Sequence, residues 1–223
     1  MNRCTRRWIL AFALLGPSLT STVATAENAP VLPPGAHPHG RTYSEWAAAW
    51  WRWLLSQPAS TNPILDPTGA FCANGQEGKV WFLAGTFGGT ATRSCTVPPG
   101  TALLFPAVNF VSCGVPPDRA TEEEVRSAVS IVPEEASGLN ATIDGIPVSD
   151  IQGRYFEQSA LFEVGLPADN LFGLPAGTVV APCADAGYYL MVHPLPPGEH
   201  TIEFGGSLTD FSTQVTYHIT VAR

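Results

Sequence analysis

The sequence predicts a mainly β protein, an antiparallel β-sandwich or jelly-roll-like domain with one or two accessory α-helices. Three observations favour that class: 42 of the 223 residues are Gly or Pro, only 13% are charged, and 45% are hydrophobic. Such a chain has enough apolar material for a core, but frequent turns divide it into short segments, which favours strands over long helices. The composition argues against a coiled coil and against a disordered chain.

The first 26 residues are typical of an export signal. Arginines precede the short apolar run 8–15, and the small residues at 24–26 predict cleavage after Ala26. A partial twin-arginine pattern leaves both Sec and twin-arginine export open. The apolar run is shorter than the roughly 20 residues that a membrane span needs. We therefore expect an exported, periplasmic or extracellular protein with no membrane anchor after cleavage.

The remaining chain is acidic. Removal of residues 1–26 takes away three of the eleven basic residues and none of the nineteen acidic ones, which leaves a net charge near −11. Nucleic acid and anionic lipid are poor partners for such a surface. A Pro/Gly-rich stretch at 27–40 predicts an extended arm, and residues 41–223 suffice for a single domain.

A helix is predicted over 42–56. Thr42 and Glu45 form a capping box at its start, and Pro58 requires it to stop. At about 100° per residue, the large apolar residues share one broad arc. These residues are Tyr43, Trp46, Ala47, Trp50, Trp51, Trp53, Leu54 and Leu55. The pattern predicts an amphipathic helix with an aromatic buried face.

A second capping box, formed by Thr121 and Glu124, predicts a helix over 121–131 that Pro133 ends. The acidic residues 122–124 lie in its first turn, where the helix dipole stabilises them without a metal ion.

The rest of the chain predicts short strands. They cover 80–84, 101–105, 141–143, 146–148, 161–164, 178–181, 188–192, 200–204 and 214–221. Asp144-Gly145 predicts a tight hairpin turn. The apolar rows of the last two strands face one core only if Ile202 lies opposite Tyr217, which places Thr201 opposite His218 on the outer face.

Four cysteines follow the export signal, and an even number in an exported chain predicts two disulfides. Three connectivities are possible. Cys72–Cys95 is favoured because the two residues flank an apparent hairpin, which leaves Cys113–Cys183 as a long-range link. A thiolate metal site is disfavoured because the chain has no C-x-x-C pair.

Three segments carry a resemblance to a known family. Residues 50–53 (WWRW), 80–86 (VWFLAGT) and 195–202 (LPPGEHTI) resemble a family of uncharacterised exported prokaryotic proteins. The resemblance covers most of the chain after the signal and implies one exported domain. It carries over no catalytic residue.

The first candidate site is the aromatic helix. Indole rings bind sugar rings and flat apolar ligands, so Trp51, Trp50 and Trp53 are candidate ligand-binding residues. Their spacing equally fits simple filling of the core. Trp51 is nearest the edge of the arc and is the ring expected to be partly exposed.

The second candidate is His37-Pro38-His39. On an extended segment, residues i and i+2 point the same way, so His37 and His39 could share a metal ion. A third ligand would come from His193, His200 or His218. Two solvated histidines are the simpler interpretation, and no cofactor is expected.

The third candidate is acid–base chemistry, since glycoside cleavage uses two carboxylates. The candidates are Glu157, Glu163, Asp185, Asp210 and a group of Glu199, Glu203 and His218. The last group is predicted on an outer sheet face, which is a poor catalytic pocket. The sequence contains no nucleophile elbow, zinc-protease helix, Walker loop or dinucleotide fingerprint.

Together these features favour an exported, non-catalytic binding protein for an extracellular glycan or a small apolar ligand. A secreted polysaccharide hydrolase or lyase with paired carboxylates is one alternative. A structural envelope or assembly component is another. The oligomeric state is not specified by the sequence.

Overall fold

The computed structural model describes residues 29–223, so the predicted signal peptide and its cleavage site lie outside the described residues. The helices are α1 (Tyr43–Leu55), α2 (Glu122–Val129), α3 (Val132–Glu135) and α4 (Ile151–Arg154), with short 3-10 turns at Pro38–Gly40 and Ala59–Thr61. No helix among residues 29–223 is long and apolar enough to cross a membrane.

Within residues 29–223, ten strands form two five-stranded sheets. They are β1 (Val80–Phe82), β2 (Gly89–Val97), β3 (Ala102–Cys113), β4 (Ser137–Ile143), β5 (Ile146–Pro147), β6 (Phe156–Gln158), β7 (Phe162–Gly165), β8 (Val179–Val192), β9 (Gly198–Leu208) and β10 (Phe211–Val221). The first sheet has the order β1-β3-β8-β6, with β7 also paired to β8, and the second has the order β2-β10-β9-β4-β5.

The predicted mainly β sandwich is confirmed, with one difference in its strand directions. Two pairs, β1 with β3 and β2 with β10, are parallel, so both sheets are mixed rather than antiparallel. A parallel pair needs a crossover connection between its strands. Here the connections run through loops and through strands of the other sheet. The apolar pattern of a single strand does not reveal which strand it pairs with or in which direction.

The first sheet is the middle layer of the molecule. One face of this sheet packs on the second sheet, where the rings of Phe105 and Phe204 stack with centroids 4.3 Å apart. Its other face packs on α1. Residues 183–192 of the central strand β8 are buried without a break, as expected for a strand that is covered on both faces.

The predicted register of the last two strands is confirmed. Ile202 pairs with Tyr217 in the core, and Thr201 pairs with His218 on the outer face. The Asp144-Gly145 hairpin is also present, with both residues at positive φ, as a two-residue turn of this kind requires.

The structure differs from the predicted strands in three places. The sequence pattern does not reveal strand β2, because Arg93 occupies an inward position and interrupts the alternation of apolar residues. Strand β6 was also missed. The two strands predicted at 178–181 and 188–192 are one continuous strand, β8, in which Pro182, Asp185 and Gly187 break the apolar pattern.

The second helix is shorter than predicted. It ends at Val129 rather than Ile131, and Pro133 lies in the first turn of the separate short helix α3 instead of acting as a stop. Proline is tolerated in a first helical turn because its missing N–H has no partner there.

The arm before α1 packs on the body from Ala29 onward. Val31 forms a β-bridge with Val192, and the backbone N–H of Leu32 donates to the Met191 carbonyl at 2.8 Å. The Tyr43 hydroxyl donates to the Leu32 carbonyl, also at 2.8 Å. This part of the arm therefore extends the middle sheet beside the end of β8.

Both disulfides have the pairing favoured above. Cys72 bonds Cys95, and Cys113 bonds Cys183. The predicted hairpin between the first two is absent, because β1 and β2 belong to different sheets. Cys113 and Cys183 are directly opposed on β3 and β8. Two disulfides indicate an oxidising compartment.

Candidate functional site

Helix α1 positions the candidate site, and its start is held by the predicted capping box. The Thr42 backbone N–H donates to the Glu45 carboxylate at 2.7 Å, and the Glu45 N–H donates to the Thr42 hydroxyl at 3.2 Å. The hydrogen bond from the Thr42 backbone, followed by the one from its hydroxyl, lowers the pKa of Glu45. These bonds fix where the first turn begins and so which face carries the tryptophans.

The indoles of α1 are buried, and each N–H has a defined acceptor. Trp50 donates to the Leu83 carbonyl at 3.0 Å and Trp53 donates to the Asn74 carbonyl at 2.8 Å. Trp51, expected to be the partly exposed ring, is only 5% exposed and donates to the Asp185 carboxyl at 2.6 Å. The expectation of exposure was wrong because β8 brings a polar partner to the edge of the arc.

An open groove of about 870 Å³ runs beside α1. Its aromatic lining consists of Trp46, Trp53 and Phe82, and its charged lining consists of Arg41, Arg52, Lys79, Glu77 and Glu163. Of the three tryptophans predicted to bind ligand, only Trp53 is among the lining residues of this groove, and it is itself largely buried, at 6% exposed. The aromatic rings of the lining pack edge to face: the ring centroids of Trp46 and Phe82 are 6.2 Å apart, with an interplanar angle of 62°.

Two arginines at the groove rest on aromatic rings. The Arg41 guanidinium lies 4.8 Å from the centre of the Trp46 ring, and the Arg52 guanidinium lies 5.6 Å from the centre of the Phe162 ring. The Arg52 Nε also donates to the Glu163 carbonyl at 3.4 Å. Such cation–π contacts orient a guanidinium without neutralising it.

Below the helix lies a buried polar network centred on Asp185. One carboxyl oxygen accepts from Trp51, and the other accepts from the Tyr189 hydroxyl at 2.8 Å. Tyr189 in turn accepts from the Asn109 side-chain amide at 2.8 Å. The Asp185 N–H donates to the Ser159 hydroxyl at 2.9 Å. Every buried polar side-chain atom of the network has a partner, as buried groups require.

The network alters the ionisation of its carboxyl group. Asp185 has no exposed surface, and burial raises its pKa to about 8, although hydrogen bonds from Tyr189 and Trp51 oppose the shift. Burial also raises the pKa of Tyr189, with a further contribution from Asp185. A carboxyl group with no access to solvent holds α1 against β8 and has no path to an external substrate.

The other predicted carboxylates are dispersed. Glu163 is exposed and lines the groove, whereas Glu157 is half-buried on β6, where burial raises its pKa. Asp210 is exposed in the turn between β9 and β10. Glu203 and Glu199 accept hydrogen bonds from Thr142 and Thr220 on the outer face of the second sheet. His218 is exposed on that face, as predicted.

The geometric basis for the two-histidine metal site is absent. Pro38–Gly40 forms a 3-10 turn rather than an extended segment, and His39 has a φ of 53°. His200 is engaged elsewhere, with its ring nitrogens 2.7 Å from Asp144 and 2.9 Å from the Pro196 carbonyl. Residues 29–223 contain no group of three His, Cys, Asp or Glu side chains placed to hold a metal ion.

Sequence reasoning missed most of the residues that line the groove. Arg52 falls on the polar side of the aromatic helix, and Arg41, Glu77 and Lys79 carry no local motif. The available signal was the position of Arg52 within a run of tryptophans. Comparisons with protein-family models, with curated proteins and with solved structures found no match to this chain, so the family resemblance stays a prediction.

Proposed function

We propose that this chain is an exported, non-catalytic binding protein and that the groove beside α1 holds a saccharide. The observation that carries the proposal is the composition of the groove, whose lining combines the largely buried aromatic residues Trp46, Trp53 and Phe82 with charged side chains of both signs. Saccharides present apolar ring faces and many hydroxyl groups, so they are complementary to a surface that is aromatic and polar at once.

The shape of the groove favours a chain over a small apolar ligand. Apolar ligands are held in enclosed pockets that bury most of their surface and are lined mainly by hydrophobic side chains. This groove is open and its rim carries five charged residues. An extended molecule can lie along it with one side in solvent.

One half-buried residue of the groove lining offers a way to block the groove. Ala49 lines the groove on the half-buried face of α1. Replacing it by glutamine adds a side chain to the groove and keeps a good helix-forming residue. Ala128→Gln on the exposed face of α2 is the matched control, since it makes the same change away from the groove.

The experiment is a thermal-shift screen of the mature protein against oligosaccharides, followed by titration calorimetry. A ligand that binds only the native state raises the melting temperature. We expect at least one oligosaccharide to do so, with the shift reduced in Ala49→Gln and retained in Ala128→Gln. A flat response to the whole panel, or equal shifts in both variants, would reject the groove as a saccharide site.

A hydrolase is the second candidate, and one observation favours it. Glu77 and Glu163 line the same groove, and a pair of carboxylates is what glycoside cleavage uses. Release of reducing ends from a bound oligosaccharide, abolished in both Glu77→Gln and Glu163→Gln, would replace binding by hydrolysis. Binding of an oligosaccharide without release of reducing ends would exclude hydrolysis of that oligosaccharide.

A further inference from the structure

We infer that the saccharide held in the groove is acidic, with its anionic groups bound by Arg41 and Arg52. This inference rests on the proposed saccharide groove and names the chemical class of its ligand. Residues 29–223 hold eight Lys or Arg against eighteen Asp or Glu. Three of those eight cations, Arg41, Arg52 and Lys79, line this one groove.

Like the other Lys and Arg side chains of residues 29–223, these cations have no ion-pair partner among the described residues. Among residues 29–223 the one ion pair is His200 with Asp144. Arg41 and Arg52 therefore have no carboxylate within 4 Å, although Glu45, Glu77 and Glu163 belong to the same surface. An acidic chain that leaves its few cations unpaired around a groove presents a local site for an anion.

The two guanidinium groups are already oriented for such a ligand. Arg41 is held over Trp46 and Arg52 over Phe162. Arg52 uses Nε for the Glu163 carbonyl, which leaves its terminal nitrogens available as donors. A planar guanidinium with free terminal N–H groups binds a carboxylate or a sulfate through two parallel hydrogen bonds.

Both arginines also border a second, adjoining depression. A smaller hollow of about 340 Å³ is lined by Arg41 and Arg52 together with Glu45, Ala48 and Ala160. The pair thus stands where the two depressions meet, on the exposed side of α1. A saccharide chain with repeated anionic groups can place one group at each arginine.

The test uses three probes of equal length: an oligogalacturonate, a sulfated gluco-oligosaccharide and a neutral gluco-oligosaccharide. Titration calorimetry at low and high salt compares them. We expect one or both acidic chains to bind more tightly than the neutral chain, with affinity falling as salt rises. The comparison of carboxylated with sulfated probes identifies which anion the arginines select.

Matched variants locate the effect. Arg41→Gln and Arg52→Gln should each weaken acidic-chain binding by about ten-fold, since each removes a charge-assisted hydrogen bond. Arg52→Lys keeps the charge but loses the planar donor pair, so its affinity should be intermediate. Arg154→Gln is the control, because Arg154 is exposed and stacks on Tyr155 at 5.6 Å but lies outside the groove. Unchanged melting temperatures would verify that the exposed arginine variants fold.

The possible failures are distinguishable. If the neutral chain binds as tightly as the acidic ones and the arginine variants bind normally, the acidic ligand is rejected while the saccharide groove stands. Loss of acidic-chain affinity in Arg154→Gln equal to that in Arg52→Gln would also reject it, since general charge would then explain binding. If no probe binds, both the acidic ligand and the saccharide groove are rejected.

Discussion

The indole N–H of Trp51 donates a 2.6 Å hydrogen bond to the carboxyl group of Asp185, and both side chains are buried between α1 and β8. The two residues are 134 positions apart in the chain. This contact joins the amphipathic helix to the central strand of the middle sheet. Because α1 forms one wall of the groove, the contact also helps to hold that wall in place.

The first prediction concerns the pH dependence of stability. The pKa of Asp185 is about 8 in the folded protein, and a carboxyl group in an unfolded chain has a pKa of about 3.9. The folded state therefore binds the proton more tightly. The contribution of Asp185 to stability is greatest below pH 4 and falls as pH rises from about 4 to about 8, by up to about 1.4 kcal/mol per pH unit.

The nearly isosteric Asp185→Asn variant removes this titration. Urea unfolding between pH 4 and 8 should show a shallower decline for the variant than for the wild type, so that the variant gains stability relative to the wild type as pH rises. Asp210→Asn, a change at an exposed turn residue, should retain the wild-type slope. Parallel wild-type and Asp185→Asn profiles would show that Asp185 is ionised throughout this range.

The second prediction isolates the Trp51–Asp185 contact. Trp51→Phe keeps an aromatic ring but removes the donor, which leaves a buried carboxyl oxygen without that partner. We expect a loss of about 1–3 kcal/mol beyond the effect of the smaller ring. A double-mutant cycle with Asp185→Leu measures the coupling, which should be favourable. Additive effects of the two substitutions would contradict an energetic role for the hydrogen bond.

The third prediction concerns Gly187 on β8, which lies opposite Asn109 on the neighbouring strand β3. A Cβ atom at Gly187 would lie 2.5 Å from the Asn109 Cβ and 2.8 Å from the Val108 carbonyl oxygen. Gly187→Ala should therefore displace Asn109, which is hydrogen-bonded to Tyr189, and destabilise the fold by about 1–3 kcal/mol.

The control for this substitution is Gly165→Ala on β7, where an added Cβ would meet no atom within 4 Å. Its free energy of unfolding should match the wild type or exceed it slightly, because alanine restricts the unfolded chain. Equal free energies of unfolding for Gly187→Ala and the wild type would mean that β3 and β8 can separate at this point without loss of stability.

The fourth prediction compares the disulfides. They close loops with sequence separations of 23 for Cys72–Cys95 and 70 for Cys113–Cys183. On the chain-entropy estimate, removal should cost about 3.5 kcal/mol for the shorter loop and about 4.4 kcal/mol for the longer one. Paired Cys→Ala variants compared by urea unfolding test this order. A larger loss for the shorter loop would point to local packing as the dominant effect.

Residues close in sequence made much of the fold predictable. The capping boxes depend on pairs three residues apart, and the register of β9 with β10 depends on strict alternation across one short turn. Prediction failed where one residue opposed the local pattern. Arg93 faces inward on β2, and its guanidinium is satisfied by the Asp66 carbonyl at 2.6 Å and the Tyr217 hydroxyl at 2.8 Å.

The candidate site was only partly predictable for the same reason. The sequence indicated an aromatic helix but not which indoles border the groove, since that depends on what packs against each ring. Trp51 meets Asp185, whereas Trp53 reaches the groove beside Phe82, at 5.4 Å between ring centres. The arginine rim is recognisable only once Arg41 and Lys79 are seen on the same groove.

The sequence by itself determined the mainly β class, the amphipathic character of α1, the alternation of β9 and β10, and the supply of cysteines for two disulfides. Each follows from composition or from contacts within a few residues. The tertiary structure alone decided that two strand pairs are parallel, that Asp185 is buried under Trp51, and that three cations share one groove. Those outcomes depend on which distant segments pack together, and local hydrogen bonding and hydrophobic periodicity do not specify that choice.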